Sequence, residues 1–300
     1  MTVIERGGRC GGTHLSHNIG PYTFDVGSIF YEESSRLFDL GAGLREKCPT
    51  VMRRQRRIAP TGKLMHYPLE PREIMRANPW AMPLTLADMG WSRLTTSTDG
   101  TLAAITRKRL GRRLFADTGL EAYITRFHHV PPEEIDETFF FQRMGFVARM
   151  TELGPLLSNG LRTMFTPRPV NKAVRRPLYI RPQEGFDALF DPVRARLEQA
   201  GVVFRFHEPV EAISPQPGGG FAIRTAGGSF TAPVVVCTIP LNAVYRMLFG
   251  EETGLASLDL TSLFVSASGL HPDTGNVLFN FHGKGLWKRA LLAMDAAAED

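Results

Sequence analysis

The chain has 300 residues, of which 43% are hydrophobic and 22% are charged, and its formal net charge is +5. This composition argues against a disordered chain, and no apolar run reaches the roughly 18 residues that a membrane-spanning helix requires. The three cysteines, Cys10, Cys48 and Cys237, are odd in number and widely spaced, which argues against a disulfide framework and against a zinc site. We therefore expect a globular, cytoplasmic protein that holds no metal.

Several basic residues lie in short clusters, at 53–57, 107–113 and 175–176. Solvated surface is the simplest interpretation of such clusters, and attraction to an acidic partner is the alternative. The clusters lack the aromatic stacking residues typical of nucleic-acid binding, so nucleic acid is the least favoured partner. We expect a small-molecule substrate and no nucleic acid, while peripheral contact with an anionic membrane surface stays open.

The first residues have the pattern of a strand that runs into a glycine turn. Residues 1–5 are a short apolar run that ends in Glu5, and Gly11 and Gly12 lie in the turn over 9–13. A carboxylate at the end of such a strand binds ribose hydroxyls in dinucleotide-binding folds. Glycines let backbone N–H groups approach a pyrophosphate closely. This order of groups predicts the second half of a dinucleotide-binding βαβ unit.

Two further features follow the glycine turn. Ser16 offers one more hydrogen-bond donor, and residues 24–27 read Phe-Asp-Val-Gly. An ordinary strand, a turn and a surface glutamate are the alternative interpretation of the whole segment. The fixed spacing of the carboxylate, the glycine pair and the Phe-Asp-x-Gly sequence favours a cofactor site.

The middle of the chain is predicted to be mostly helical. Residues 34–44 have the apolar spacing of a short helix, and a hairpin is indicated around the Pro-Thr-Gly sequence at 60–62. From about 70 to 165 the patterns are mainly helical, with prolines between the helices. The Pro-Pro-Glu-Glu sequence at 131–134 has the composition of a helix start.

The last third of the chain returns to alternating elements. A helix is predicted over 186–200, with Gly201 at its end. The short apolar run at 202–206 predicts a strand, and the pattern over 221–230 predicts a hairpin. Together these elements indicate a helix that leads directly into a sheet.

Four elements are predicted after the hairpin. The apolar run at 234–239 is typical of a strand buried on both faces of a parallel sheet. Two more strands are predicted at 263–268 and 277–281, and a final helix at 287–298. Strands near both ends of the chain, with helices between them, favour an α/β domain that is interrupted by an insertion.

These motifs resemble those of the flavin-dependent amine oxidase and protoporphyrinogen oxidase superfamily, which includes relatives of UDP-galactopyranose mutase. The residues from Arg9 to Ser16 resemble its Arg-x-Gly-Gly-Arg-x-x-Ser/Thr signature, although Thr13 stands where the family has arginine. Residues 24–27 resemble the Phe-Asp-x-Gly turn that leads the family's backbone toward the flavin. Later segments resemble the family in the same order, at 57–69, 130–135, 182–189, 202–210 and 234–240.

The resemblance implies an α/β fold: an incomplete Rossmann-like FAD/NAD(P)-binding domain with an inserted, mainly helical substrate domain. The flavin domain is expected at 1–50 and 177–250, and the substrate domain at 51–176 and 251–300. FAD is the implied cofactor. The residues implied to bind it are Glu5, Arg9, Gly11, Gly12, Ser16, Gly27 and Val210.

The implied reaction is hydride transfer to the flavin from an amine or from a hydrophobic, polycyclic substrate. No residue is implied as the acid or base. Tyr67, Arg143 and His66 lie in segments expected to line the substrate cavity. Packing is the alternative role for Tyr67, and an ion pair with Glu133 or Glu134 is the alternative for Arg143.

The resemblance also predicts that the chain is truncated at both ends. In the family, a strand and a Gly-x-Gly-x-x-Gly loop precede the glutamate, and a flavin-contacting segment closes the sequence. None of the three Gly-x-Gly sequences of this chain has a third glycine at the required spacing. The missing first piece would be about 25 residues long, because the whole βαβ unit takes roughly 30.

Two other functions stand beside the oxidoreductase. One is a mutase-like isomerase acting on a nucleotide sugar, for which Arg143, Arg175 and Arg176 would meet the diphosphate. Against it, Ser28 and Ile29 stand where that branch has a histidine. The other is a truncated remnant that binds no cofactor.

Overall fold

The computed structural model of the protein describes residues 1–27, 29–70, 73–74, 76, 78–152 and 177–292. The chain folds into two compact units. The first unit comprises Met1–Val51 and Pro177–Val265, and the second comprises Met52–Arg176 and Ser266–Asp300. Each unit is therefore assembled from two stretches of sequence that lie far apart along the chain.

The described elements follow one another in a mixed order of strands and helices. The strands are β1 (Thr2–Ile4), β2 (Leu15–Ile19), β3 (Tyr22–Val26), β4 (Thr50–Val51), β5 (Gln55–Ile58), β6 (Leu64–His66), β7 (Leu178–Tyr179), β8 (Val203–Arg205), β9 (Val210–Pro215), β10 (Phe221–Thr225), β11 (Gly228–Ala232), β12 (Val277–Asn280) and β13 (Arg289–Leu291). The helices are α1 (Met82–Thr95), α2 (Leu102–Leu110), α3 (Arg112–Asp117), α4 (Leu120–His128), α5 (Thr138–Arg143), α6 (Gly145–Met150), α7 (Asp187–Gln199) and α8 (Leu241–Phe249).

The first unit contains a parallel strand pair and three antiparallel sheets. β1 lies parallel to β8, with Val3 opposite Phe204. β2 and β3 form a hairpin, β4 pairs with β7, and β9, β10 and β11 form an antiparallel sheet. α7 leads into β8, as the sequence predicts, and Gly201 follows it at a φ of +85°. Because β1 and β8 run parallel, the end of β1 lies beside the end of β8 and the segment that follows it.

The core of the first unit forms where α7 begins. Phe186 and Leu189 are fully buried there against Tyr31, Leu44 and Cys48. Burial of two large side chains on the inner face of one helix contributes several kcal/mol, about 1.5–3 for each. This packing fixes the start of α7 against the rest of the unit.

The second unit combines a mixed four-stranded sheet with helices. The strand order is β13-β12-β5-β6, and β12 is parallel to β5 while the two outer pairings are antiparallel. The β5–β6 hairpin confirms the turn predicted at 60–62. Helices α1 to α6 lie between β6 and β7 in the chain, and the fully buried Leu102, Phe115 and Phe140 come from three of them.

Three predicted strands or helices are wrong in the described chain. Residues 234–239 form no strand: none of the described strands pairs with them, and the Val234 and Val236 side chains are 73% and 84% exposed. Residues 263–268 form none either. In the described part of the final helix predicted at 287–298, residues Arg289–Leu291 form strand β13 instead, and 293–298 lie outside the described residues. An apolar run identifies residues that suit a strand, but a strand also needs a hydrogen-bonded neighbour.

The predicted helix at 34–44 is present only as a short 3₁₀ turn, Arg36–Leu40. Ser35 caps its start by accepting a hydrogen bond from the Leu37 N–H at 3.4 Å. Gly41 and Gly43 follow, and Gly43 adopts a φ of +77°, which a continuing helix does not allow. The Pro-Pro-Glu-Glu sequence likewise yields only the 3₁₀ turn Pro132–Glu134.

Candidate functional site

Glu5 lies immediately after β1, where the chain meets the segment that follows β8. Its N–H donates to the Arg205 carbonyl at 2.9 Å, and its carbonyl accepts from the Glu208 N–H at 3.0 Å. One carboxylate oxygen, Oε1, accepts the Gly7 N–H at 2.6 Å. The other, Oε2, has no hydrogen-bond partner among the described residues, so it is free to accept from a ligand.

The backbone after Glu5 presents a run of unused donors. The six N–H groups of residues 8–13 donate to no described residue. Gly12 adopts a φ of +59°, and a side chain built on it would meet no atom within 4 Å. Consecutive N–H groups around a left-handed residue form the concave anion-binding arrangement found at phosphate sites. This turn and the free Glu5 oxygen together fit the pyrophosphate and ribose of a dinucleotide.

Gly11 and Gly27 serve a different purpose from Gly12. A Cβ on Gly11 would lie 2.7 Å from the His14 carbonyl oxygen and 2.9 Å from the Phe190 ring. A Cβ on Gly27 would lie 2.2 Å from the Thr13 carbonyl oxygen. Both glycines are therefore required for close packing of the turn itself. Gly12 is the position where a side chain would project into open space.

Arg9 and Ser16 hold the turn against the start of α7. Arg9 Nη1 forms an ion pair with Asp187, the first residue of that helix, at 3.0 Å. Ser16 is buried; its Oγ donates to Asp25 at 2.7 Å and accepts from the Phe186 N–H at 3.0 Å. The Ser16 proton is therefore committed inside the protein rather than directed to a ligand.

A buried ion pair that the sequence did not indicate completes this network. Arg181 Nε donates to both carboxylate oxygens of Asp25, at 2.8 and 2.9 Å, and its Nη2 donates to the Thr23 carbonyl at 2.9 Å. Both side chains are largely buried. The only signal in the sequence is that Arg181 directly precedes Pro182, where the predicted return to the flavin domain begins.

Val210 is the first residue of β9 and follows shortly after Glu208, whose N–H donates to the Glu5 carbonyl. The intervening segment is fixed by Glu208, which is buried and accepts hydrogen bonds from Arg205 Nε at 2.6 Å and from the Thr225 hydroxyl. These two donors hold the pKa of the Glu208 carboxyl below its ordinary value. The His207 N–H donates to the Gly7 carbonyl at 2.9 Å. Sequence reasoning did not identify Glu208, because no neighbouring residue in the sequence marks it as buried.

The three residues expected to line the substrate cavity all lie in the second unit, and Tyr67 and Arg143 are not brought together. Tyr67 stacks on Phe279, with ring centroids 3.7 Å apart. Arg143 ends α5, is exposed, and forms no ion pair with a described residue. The expected alternative partner, Glu133, instead pairs with Arg107 at 2.5 Å.

His66 is tied to Glu73, which accepts hydrogen bonds from the His66 backbone N–H at 2.8 Å and contacts its Nδ1. Arg175 and Arg176 lie outside the described residues. No three His, Cys, Asp or Glu side chains of the described chain are grouped so that they would hold a metal. In the same residues, no helix is long and apolar enough to cross a membrane.

Comparison with known proteins identifies a family for this chain and solved structures of similar fold. A family model described as flavin containing amine oxidoreductase matches residues 1–264. A search of curated proteins finds no match. Among solved structures, a candidate protoporphyrinogen oxidase from Exiguobacterium sp. 255-15 shares 22% identity at a TM-score of 0.55, over 82% of this chain and 55% of that one. Reduced UDP-galactopyranose mutase shares 13% identity at a TM-score of 0.63, over 96% and 63%.

A protein from Pyrococcus furiosus is similar at 14% identity and a TM-score of 0.51, over 93% of this chain and 65% of that one. At these identities the likeness establishes the fold alone, and it confirms the predicted α/β flavin-binding fold class. The inserted helical substrate domain stays a prediction. The chain spans between 55% and 65% of the lengths of these three structures.

Proposed function

The chain belongs to the flavin containing amine oxidoreductase family, and from that premise we propose that it binds FAD and takes part in flavin-dependent oxidation of a small molecule. The family match confirms the resemblance inferred from the sequence. The observation that carries the proposal for this chain is the turn over residues 8–13. Its six unused N–H groups and the free Glu5 oxygen fit the two polar parts of a dinucleotide.

The residues of this chain have distinct parts in that binding. Glu5 accepts hydrogen bonds from the ribose, and the N–H groups around Gly12 face the pyrophosphate. Val210 supplies backbone beside the adenine. Arg9, Gly11, Ser16 and Gly27 act indirectly, because their contacts shape the turn.

Flavin, when bound, supplies the redox chemistry by accepting a hydride from the substrate. The protein binds, orients and shields the reacting groups, and we assign no acid or base. On this proposal the first unit holds the cofactor and the second unit binds the substrate, at a surface that includes Tyr67. A small-molecule substrate, a cytoplasmic location and the absence of nucleic-acid partners remain part of the proposal.

An amine or a hydrophobic, polycyclic compound is the proposed substrate class. The mutase-like isomerase stays the alternative. The higher TM-score of reduced UDP-galactopyranose mutase favours a shared fold, but at 13% identity it does not favour a shared reaction. Two of the three arginines expected to meet a diphosphate lie outside the described residues.

A matched pair of glycine substitutions tests the cofactor site. Gly12 and Gly20 both have a φ of +59°, and a Cβ on either would meet nothing within 4 Å. Alanine at either position therefore costs a similar backbone strain, about 1–2 kcal/mol. Only Gly12→Ala adds its methyl group to the turn that carries the free N–H groups. We expect Gly12→Ala to weaken FAD binding at least tenfold and Gly20→Ala less than twofold, as measured by absorbance titration of the 300-residue chain.

The outcomes separate the alternatives. Equal effects of the two substitutions would overturn the placement of the pyrophosphate at Gly12. Failure of the unsubstituted chain to bind FAD at all would favour the non-binding remnant. Saturable binding would support the family chemistry in this chain and justify a screen of amines and polycyclic compounds.

A further inference from the structure

Helix α1 of the second unit is apolar on the side that faces solvent. Five large hydrophobic side chains on this helix and on the turn directly before it are between 49% and 91% exposed: Trp80, Leu84, Leu86, Trp91 and Leu94. A surface helix of a globular protein usually turns its apolar residues inward and its charged residues toward water. The exposed side of α1, called here the apolar face, therefore has the composition of a surface that is covered by a partner.

The two charged residues of α1 point toward the protein and are occupied there. Asp88 accepts a hydrogen bond from the Arg113 N–H at 2.9 Å, and Arg93 Nη2 donates to the Thr151 carbonyl at 2.5 Å. At the end of the helix, the exposed Thr95 hydroxyl donates back to the Trp91 carbonyl at 2.9 Å. The apolar face therefore carries no charge of its own.

Exposed arginines lie beside the apolar face. The hydrogen bond from the Arg113 N–H to Asp88 fixes the start of α3 against the middle of α1. The side chains of Arg112 and Arg113 are exposed, and neither is bonded to a described residue. Residues 76–117 include seven basic and three acidic residues, of which Asp88 and Asp99 already accept hydrogen bonds within the protein. The surroundings of the apolar face are therefore positively charged.

Charge selects the partner that fits this face. A second copy of the chain placed face to face would bring the same arginines toward each other, and like charges oppose association. A covering protein segment would satisfy the arginines only if it also supplied carboxylates. An anionic lipid surface provides an apolar layer and negative headgroups together.

The side chains and the length of α1 suit the interface of a bilayer. Tryptophan favours this depth, because its ring lies against acyl chains while its N–H reaches the headgroups. Because α1 has 14 residues, it is about 21 Å long, which is shorter than the roughly 30 Å hydrocarbon core. The helix would therefore lie in the plane of the membrane surface.

We propose that the apolar face of α1 binds the surface of an anionic lipid bilayer. Its tryptophan and leucine side chains enter the interface, and the side chains of Arg112 and Arg113 contact the headgroups. This inference goes beyond the proposed redox function and does not depend on it. The face belongs to the second unit, whereas the turn over residues 8–13 belongs to the first.

Vesicle binding tests the proposal. The 300-residue chain is co-sedimented at low salt with vesicles of phosphatidylcholine alone and with vesicles that also contain phosphatidylserine. We expect binding to the anionic vesicles to be at least about tenfold tighter, because each basic residue near the surface adds attraction. Added salt should weaken this preference, since exposed charges are screened.

Tryptophan fluorescence reports whether the apolar face itself enters the lipid. The chain has three tryptophans, so Trp287→Phe leaves only Trp80 and Trp91 as reporters. We expect anionic vesicles to shift the emission of this variant to shorter wavelength, and brominated phosphatidylcholine in the vesicles to quench it. An unchanged, unquenched spectrum on bound vesicles would overturn the placement of the lipid contact.

Matched substitutions locate the contact. Leu94→Gln and Arg113→Gln alter the proposed surface, and their controls, Leu286→Gln and Lys284→Gln, alter exposed residues in one loop after β12. Leu94 and Leu286 are 85% and 96% exposed. We expect the two α1-side changes to weaken vesicle binding about fivefold each and the two loop changes to leave it nearly unchanged. Circular dichroism checks that all four variants remain folded.

The possible outcomes separate the partners. Failure to bind vesicles, equal binding to both kinds of vesicle, or equal effects of the α1-side and loop substitutions would each overturn the proposal. Sedimentation velocity without lipid tests for a second copy. A dimer that Leu94→Gln dissociates, in a chain that binds no vesicles, would assign the apolar face to a second copy instead.

Discussion

The buried ion pair between Arg181 and Asp25 provides a stringent prediction about stability. Arg181→Met keeps much of the volume of the side chain but leaves the Asp25 carboxylate with the Ser16 hydroxyl as its remaining donor. The two side chains are only 13% and 8% exposed. Removing one member of a buried pair costs about 3–5 kcal/mol, because the other charge stays buried without compensation.

The remaining Ser16 hydrogen bond favours the lower end of that range. We therefore expect Arg181→Met to lower the free energy of unfolding by about 3 kcal/mol, roughly a 150-fold change in the folding equilibrium. The matched control is Arg246→Met, which breaks the ion pair with Glu252 at 2.7 Å, where the side chains are 64% and 67% exposed. That change should cost much less than Arg181→Met, because solvent screens an exposed ion pair.

Urea denaturation followed by circular dichroism measures both values. A double-substitution cycle with Asp25→Asn should show coupling, since the second change removes the charge that the first one strands. A loss below about 1 kcal/mol for Arg181→Met, or the same loss for both arginine variants, would refute the claim that this pair organises the first unit.

Three further predictions concern pH and packing. The pKa of the Glu208 carboxyl is lowered in the folded protein, so the stability that this group contributes is present above its ordinary pKa and is lost as the pH falls through the folded value. Glu208→Gln should therefore flatten the acid limb of a curve of unfolding free energy against pH. An unchanged acid limb would contradict this prediction. Burial and Arg289 lower the pKa of Lys288 to about 8, so competitive acetylation should half-titrate it well below free Nα-acetyl-lysine. Phe140→Ala should cost about 3–5 kcal/mol, because Phe140 is fully buried, whereas the neighbouring Phe141→Ala should cost much less; equal losses would contradict the packing.

The features predicted well from the sequence are those set by local chemistry. The strand at β1, the β5–β6 hairpin around Pro-Thr-Gly and the helix ended by Gly201 each depend on residues within a few positions. The family signature over residues 9–27 is also local, because its glycines let the backbone turn tightly against nearby atoms. Gly11 and Gly27 show this directly through the backbone atoms that a side chain would strike.

The features that were missed depend on distant residues. The run at 234–239 has the composition of a buried strand, but whether it pairs depends on a neighbour elsewhere in the protein. Asp25 and Arg181 are 156 positions apart, and no periodic pattern connects them. Ser16 was expected to face the cofactor, yet its hydroxyl donates to Asp25, and that role follows only from the fold.

The central claim is that the turn over residues 8–13 binds the pyrophosphate of FAD. Hydrogen–deuterium exchange with peptide-level mass spectrometry, with and without FAD, tests this most directly, because six N–H groups in the turn make no hydrogen bond to a described residue. We predict that FAD slows exchange in this turn and leaves the β2–β3 turn around Gly20 unchanged. Slowed exchange elsewhere with no change over residues 8–13 would contradict the account.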